Sequence, residues 1–369
     1  MSKQALAIGP HAPPITGPGL KNKYIHAGLE HRGLEIDWIN TLETTPRTVV
    51  DIVRKTVGYD AYILSASTKV RLFIAPLLAS KLRFPNVEGA LFPAGGEFAA
   101  ELESLPTPLR TFYLRTFAAF DGIYPQTDDL TADLQTLFAD SVQIRTVPNL
   151  RPIPESSSVC RDQPVTASSP LTLAYVGRIK ESKGLDNLLA AFERARNAGT
   201  DVELDIYGHF LSGDSYREQF LDSCSKLPGL RFHGRIRNVD VIPELQQFDA
   251  FVFPTVYPGE GFPGALVEAF AASCPVIGTD WNFNGDIITD GVDGLLYEPH
   301  DVATLTDHIQ WLASHPGRVS ELQQQAYRTA QEYSIEHVTG MIIRYLDEAG
   351  WNIPAMTAPP SEVAAPSPR

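Results

Sequence analysis

The sequence predicts an α/β protein made of two doubly wound, Rossmann-like domains. Three observations predict it. Strand-length apolar runs alternate with helix-period segments, the alternation pauses once in a Pro- and Ser-rich stretch at residues 150–170, and it then restarts. The 369 residues, 43% of them hydrophobic, suffice for two domains of ordinary size with separate cores.

In order, the first half reads as strands at 5–9, 34–40, 61–66, 87–92, 122–125 and 142–147. Helical segments at 19–32, 46–57, 69–82 and 128–139 separate them, with a further helical stretch before residue 122. Such alternation implies a mostly parallel sheet covered on both faces. After the linker, strands are expected at 171–176, 202–207, 230–233, 250–254, 275–279 and 294–297. Helices are expected at 185–197, 214–226, 240–247 and 263–273, followed by helical pattern at 301–313 and 317–348. The tail from Pro354 has the composition of a disordered segment. The domain plan is therefore 1–150, a linker at 151–170, a second domain at 171–320, closing helices at 321–350 and a tail at 351–369. Parallel sheets bind ligands beyond the carboxyl ends of their strands. Two such domains on one linker are expected to face each other across a cleft.

Composition excludes several classes. Cys160, Cys224 and Cys274 are odd in number and scattered, which suggests neither a disulfide framework nor a Cys-based zinc site and fits a reducing cytoplasm. The N-terminus lacks the pattern of a signal peptide, and no run reaches the roughly 18 apolar residues needed to span a bilayer. A cytoplasmic protein is expected, at most peripheral at the inner membrane face. The net charge is −14, with 14 Lys and Arg against 27 Asp and Glu after residue 165. So acidic a chain is a poor nucleic-acid binder, because phosphate backbones need a basic face.

Two segments carry candidate chemistry. In Gly177-Arg178-Ile179-Lys180-Glu181-Ser182-Lys183-Gly184, between a strand and a helix, Gly177 permits close backbone approach while Arg178 and Lys183 place cations near a helix N-terminus. That pattern suits a diphosphate; a solvated loop with ordinary surface cations is the competing reading. In Pro258-Gly259-Glu260-Gly261-Phe262-Pro263-Gly264-Ala265-Leu266-Val267-Glu268, Pro263 suits a first helical turn and the glycines expose backbone N–H groups. If the segment were wholly helical, the two glutamates would lie roughly 12 Å apart along one axis. That is too far to flank one glycosidic bond, which needs roughly 5 to 9.5 Å. One extended ligand touching both is the better reading, with Glu260 at a loop tip and Glu268 about one turn into a helix. A plain surface position for Glu268 is the alternative.

These segments together resemble the retaining, nucleotide-sugar-dependent glycosyltransferases of the GT-B fold, of the family 4 type. The resemblance extends through Phe232-His233-Gly234, Pro275-Val276-Ile277-Gly278-Thr279, Gly285-Asp286-Ile287-Ile288 and Asp293-Gly294-Leu295-Leu296-Tyr297. It implies a GT-B architecture with an N-terminal acceptor domain, a C-terminal donor domain and closing helices over 321–350, the last of which crosses back to the N-terminal domain. Arg178 and Lys183 would hold the donor diphosphate. Glu260 and the backbone of Gly261, Phe262, Pro263 and Gly264 would hold the sugar, and Glu268 the ribose, with Gly177 and Gly234 also lining the donor. The resemblance implies no metal cofactor, and the chain contains no Asp-x-Asp. The expected partners are a nucleotide-sugar donor and a saccharide or lipid-linked acceptor.

The first half matches more loosely. Ile15-Thr16-Gly17-Pro18-Gly19 stands where the family has a glycine-rich loop, so Gly17 and Gly19 are expected at the donor; a plain strand-to-helix turn is the alternative. Where the family often has a histidine after its fourth strand, this chain has Phe92-Pro93-Ala94-Gly95-Gly96-Glu97. Glu97 is then the candidate catalytic group of this domain, or else a carboxylate at a helix N-terminus. His11 and His26 are weaker substitutes. Residues 108–120 interleave Arg110 and Arg115 with aromatics, as a core-packing helix with snorkelling arginines or as a lipid contact. The missing histidine also admits a catalytically silent GT-B subunit, and a sugar-nucleotide epimerase is a third reading of the same fold.

Overall fold

The computed structural model describes residues 4–12, 16–42, 46–56, 58–155, 169–211, 215–351 and 353. The stretches 156–168 and 354–369, which include most of the expected linker, Cys160 and the tail, lie outside them. The chain divides into two compact units, one of Met1–Pro148 with Ile335–Arg369 and one of Asn149–Ser334.

Unit 1 carries strands β1 (Gln4–Gly9), β2 (Glu35–Asn40), β3 (Ala61–Leu64), β4 (Glu88–Leu91), β5 (Gly122–Ile123) and β6 (Gln143–Ile144). All pair in parallel in the order β2-β1-β3-β4-β5-β6. Every side chain of β3 is buried, as a strand covered by helices on both faces requires. Its helices are α1 (Gly17–His31), α2 (Pro46–Lys55), α3 (Thr68–Lys81), α4 (Phe98–Glu103), α5 (Thr107–Phe117) and α6 (Asp128–Phe138).

In unit 2, β7 (Leu171–Arg178), β8 (Val202–His209), β9 (Leu230–Gly234), β10 (Ala250–Phe253), β11 (Val276–Thr279) and β12 (Gly294–Tyr297) form a second parallel sheet. The order β12-β11-β10-β7-β8-β9 reverses direction between β7 and β10. That pair is the topological switch point, where doubly wound sheets bind ligands. Helices α7 (Leu185–Asn197), α8 (Tyr216–Lys226), α9 (Asn238–Leu245), α10 (Gly264–Ala271), α11 (Asn284–Ile287), α12 (Val302–Ser314) and α13 (Pro316–Glu332) complete the unit. The unit has two apolar layers. Leu188, Phe192, Phe220 and Leu305 fill one face, and Phe251, Leu266, Phe270 and Ala326 fill the other.

The helical pattern expected at 317–348 is two helices, broken at Tyr333 and Ser334. The first, α13, buries Val319, Leu322, Ala326 and Ala330 and packs on α10 and α12, so unit 2 runs on to Ser334 instead of ending near residue 320. The second, α14 (Ile335–Glu348), belongs to unit 1 and lies against α1. Their approach is close because Gly28 has no side chain: a Cβ there would stand 2.1 Å from Thr339 Cγ2. Trp351, fully buried, donates from Nε1 to Asp121 Oδ2 at 3.1 Å and anchors the chain after α14. Among the described residues no helix is long and apolar enough to cross a membrane.

Candidate functional site

The switch point of unit 2 brings together the two motif segments. β7 ends at Arg178, and a single 3-10 turn over Glu181–Lys183 leads through Gly184 into α7. Gly184 has φ +70°, and a Cβ on it would lie 1.8 Å from the carbonyl oxygen of Pro254, just beyond β10. Only glycine satisfies both conditions. Val256 N donates to Ser182 O at 3.1 Å, so the loops after β7 and β10 are joined along their backbones.

That junction sets Lys183 against Glu260. The ammonium forms an ion pair with Glu260 Oε2, which also accepts from Thr255 Oγ1 at 2.9 Å. Lys183 is 8% exposed, and its Nζ lies 4.8 Å from the centre of the Tyr257 ring. Burial lowers its pKa below the ordinary lysine value; the charge of Glu260 opposes the shift, and Arg178 and Lys180 add to it. Lys180 Nζ lies 5.2 Å from the centre of the same ring. Arg178 is exposed. Burial, then the charges of Arg235 and Arg178, lower the pKa of His209 at the end of β8. The end of β7 therefore gathers Arg178, Lys180 and Lys183, which repel one another, with Glu260 as a counter-charge and His209 of β8 nearby, an arrangement suited to an anion.

Gly177 serves the same corner. A Cβ there would meet Tyr175 Oη at 2.6 Å, and that hydroxyl instead donates to Arg178 O at 2.9 Å. The loop carrying Glu260 turns through Glu260 N donating to Tyr257 O, and is clasped from β11's end. Trp281 Nε1 donates to Tyr257 O at 3.0 Å, while Asn282, at φ +50°, donates from Nδ2 to Pro258 O and Glu260 O. Sequence reasoning found neither Thr255, Tyr257, Trp281 nor Asn282. No motif marks them, although an asparagine is the side-chain-bearing residue best suited to a left-handed turn.

Beyond the loop, Phe262 turns its ring inward, 5.3 Å from Tyr333, and its carbonyl accepts from Asn149 Nδ2 at 3.0 Å. Pro263 caps α10, and Gly264 begins it. Glu268 lies a little over one turn in and is 7% exposed, so it is not the plain surface residue of the alternative reading. Its Oε1 accepts from Arg151 Nε at 2.7 Å and Asn238 Nδ2 at 3.3 Å. Arg151, part of the linker by composition, is a buried member of unit 2. Gly234 has φ +73° with open space beside it. Gly261, half-buried, follows Glu260 in the same loop.

The remaining candidates belong to unit 1. Gly17 opens α1 with no atom within 4 Å of its would-be Cβ, and Gly19 N donates to the Thr16 cap at 3.1 Å; residues 13–15 of that loop are outside the described residues. Glu97 is exposed at the start of α4 and makes no side-chain cap hydrogen bond. His26 is buried, with its ring centre 3.5 Å from that of Trp38, and the His11 ring lies 4.1 Å from the same indole. On α5, Phe117 is buried while Leu109 and Phe112 are exposed. Among the described residues no three His, Cys, Asp or Glu side chains are grouped to hold a metal.

Residues 160–332 match the family model described as glycosyl transferases group 1. The fold is that of the GT-B glycosyltransferases. A sucrose-phosphate synthase from Thermosynechococcus elongatus superimposes with a TM-score of 0.73 over 94% of this chain and 100% of that one, at 17% identity. Anabaena HepE in complex with UDP gives 0.72 over 94% and 100%, at 14% identity. Among curated relatives, a glycogen synthase from Mycobacterium tuberculosis is 28% identical over 152 residues, 40% of this chain and 35% of its own length. The matched stretch thus spans about a third of that relative.

Proposed function

We propose that this GT-B chain is a glycosyltransferase that moves a sugar from a nucleotide-sugar donor to a hydroxyl acceptor, saccharide or lipid-linked, with retention of anomeric configuration and without a bound metal. The observation that carries the reading is the meeting of Lys183, Arg178 and Glu260 at the β7/β10 switch point, with Glu268 beyond them on α10. The family match over the same residues supports it.

In this reading the donor diphosphate takes Lys183 from Glu260. The exchange replaces one anion by another on a cation that is already desolvated. Glu260, released, faces the sugar, whose C1 gains positive charge as its bond to the phosphate oxygen lengthens. The acceptor oxygen bonds C1 on the face the phosphate leaves, and the acceptor's proton passes to the departing phosphate oxygen. Glu268 holds the ribose. Arg178, Lys183 and backbone N–H groups offset the charge that a metal would otherwise neutralise.

The test is nucleoside diphosphate release from UDP-, GDP- and ADP-sugars by the purified full-length chain, with and without EDTA. Slow release from one donor class is expected, equal in both conditions, because an active site of this kind hydrolyses its donor weakly. Release abolished by EDTA and restored by magnesium would refute the metal-free reading. No release and no nucleotide binding would refute the function. Retention is read from the anomeric proton coupling of the product once an acceptor turns over.

A further inference from the structure

A carboxylate buried in a protein is costly unless it is both paired and hydrogen-bonded. Glu268 sits on α10 between Val267 and Ala269, both fully buried, with its own side chain 9% exposed. Its counter-charge is Arg151, whose side chain is 4% exposed. The guanidinium is spent in three directions at once: Nε on Glu268 Oε1 at 2.7 Å, and Nη1 on Asn149 Oδ1 at 2.9 Å and on Leu150 O at 2.8 Å. Its backbone is fixed as well, since Arg151 N donates to Tyr333 O at 3.0 Å and the residue bridges in parallel to Ser334. Room for it exists only because residue 264 is glycine; a Cβ there would stand 1.7 Å from Nη2. Asn238 donates to the same oxygen, Oε1. Among the described residues no side chain donates to Oε2.

We infer that Arg151 is a positioning residue for the nucleotide site: it commits Glu268 Oε1 and leaves Oε2 as the acceptor for a ribose hydroxyl. The inference rests on the proposed donor reading. A planar guanidinium is needed because an ammonium cannot make these divergent bonds in a fixed plane. Gly264 is then required by the arginine above it, apart from any contact of its own with a ligand.

The experiment compares Arg151→Gln and Arg151→Lys with the wild type by calorimetry. Three probes are used: whichever of UDP, GDP and ADP binds tightest, its 2′,3′-dideoxy analogue, and pyrophosphate. The wild type is expected to prefer the ribonucleotide by about tenfold or more, as a hydrogen bond to a charged group provides. Both variants are expected to lose most of that preference while keeping pyrophosphate affinity, and Glu268→Gln added to either should cost little more. A wild-type preference retained in both variants overturns the inference. Equal losses on all three probes overturn it too, since the variant would then only have loosened the unit. If Arg151→Gln does not fold, Arg151→Lys, which keeps the charge, carries the comparison. A wild type that binds none of the nucleotides refutes the proposed function itself, a result distinct from failure of the Arg151 role.

Discussion

Lys183 and Glu260 were expected at different parts of one ligand, and in the structure each is the other's partner. Their pairing makes the consequences of removing either one specific. Lys183→Ala should weaken a nucleoside diphosphate by roughly 10- to 150-fold, the value of a charge-assisted hydrogen bond or two, while leaving the bare nucleoside nearly unchanged. Titration calorimetry with both ligands decides it, and equal losses would mean damage to the unit. Glu260→Gln should behave oppositely. With Lys183 no longer neutralised, the bare diphosphate should bind at least as well as before, while kcat on the full donor falls more than KM rises. Reduced diphosphate affinity in Glu260→Gln would contradict the exchange of partners proposed for Lys183.

At the scale of elements, the turn that joins β7 to α7 tests how far the switch point depends on backbone alone. Gly184→Ala must place a Cβ both at positive φ and against the Pro254 carbonyl, and one of the two loops has to move. Gly199 has φ +90° with open space around it, so Gly199→Ala meets only the conformational cost. Denaturant unfolding should show Gly199→Ala losing about 1 kcal/mol and Gly184→Ala losing clearly more, with weakened diphosphate binding. Equal losses would show that the loops adjust freely.

This junction also marks how much was legible beforehand. The strands were readable because β3, β10 and their neighbours are short apolar runs bounded by turn residues, and the Gly177 and Glu260 segments were readable as motifs. The 3-10 turn at Glu181–Lys183 was not, because three residues carry no period. The break at Tyr333 and Ser334 was hidden because α13 and α14 continue one helical pattern through it. Arg151 was hidden because its surroundings, rich in Pro and Ser, have the composition of a linker, and its partner lies 117 positions away. Contacts of that separation leave no local trace.

At the scale of the whole molecule, each unit has a variable to which it alone should respond. Unit 2 carries the cation group, so a nucleoside diphosphate should raise its unfolding temperature by mass action. Unit 1 carries His26 beside Trp38, and burial, with a smaller contribution from His11, holds its pKa well below the ordinary 6.5. His11 is lowered too, by burial and by Lys23. The unfolded chain therefore binds protons that the folded unit does not. The stability due to neutral His26 is complete above pH 6.5 and is lost as the pH falls below it toward the folded value, with a limiting slope of about 1.4 kcal/mol per pH unit for one proton. Scanning calorimetry at pH 7.5 and pH 5.5 should show acid lowering the transition of unit 1, followed by the fluorescence of Trp38 and Trp351. The nucleotide should raise that of unit 2, followed by Trp281 and Trp311. His26→Leu should remove most of the acid sensitivity of the first transition and leave the nucleotide response of the second intact. A single transition moved together by both variables would show instead that the two units unfold as one.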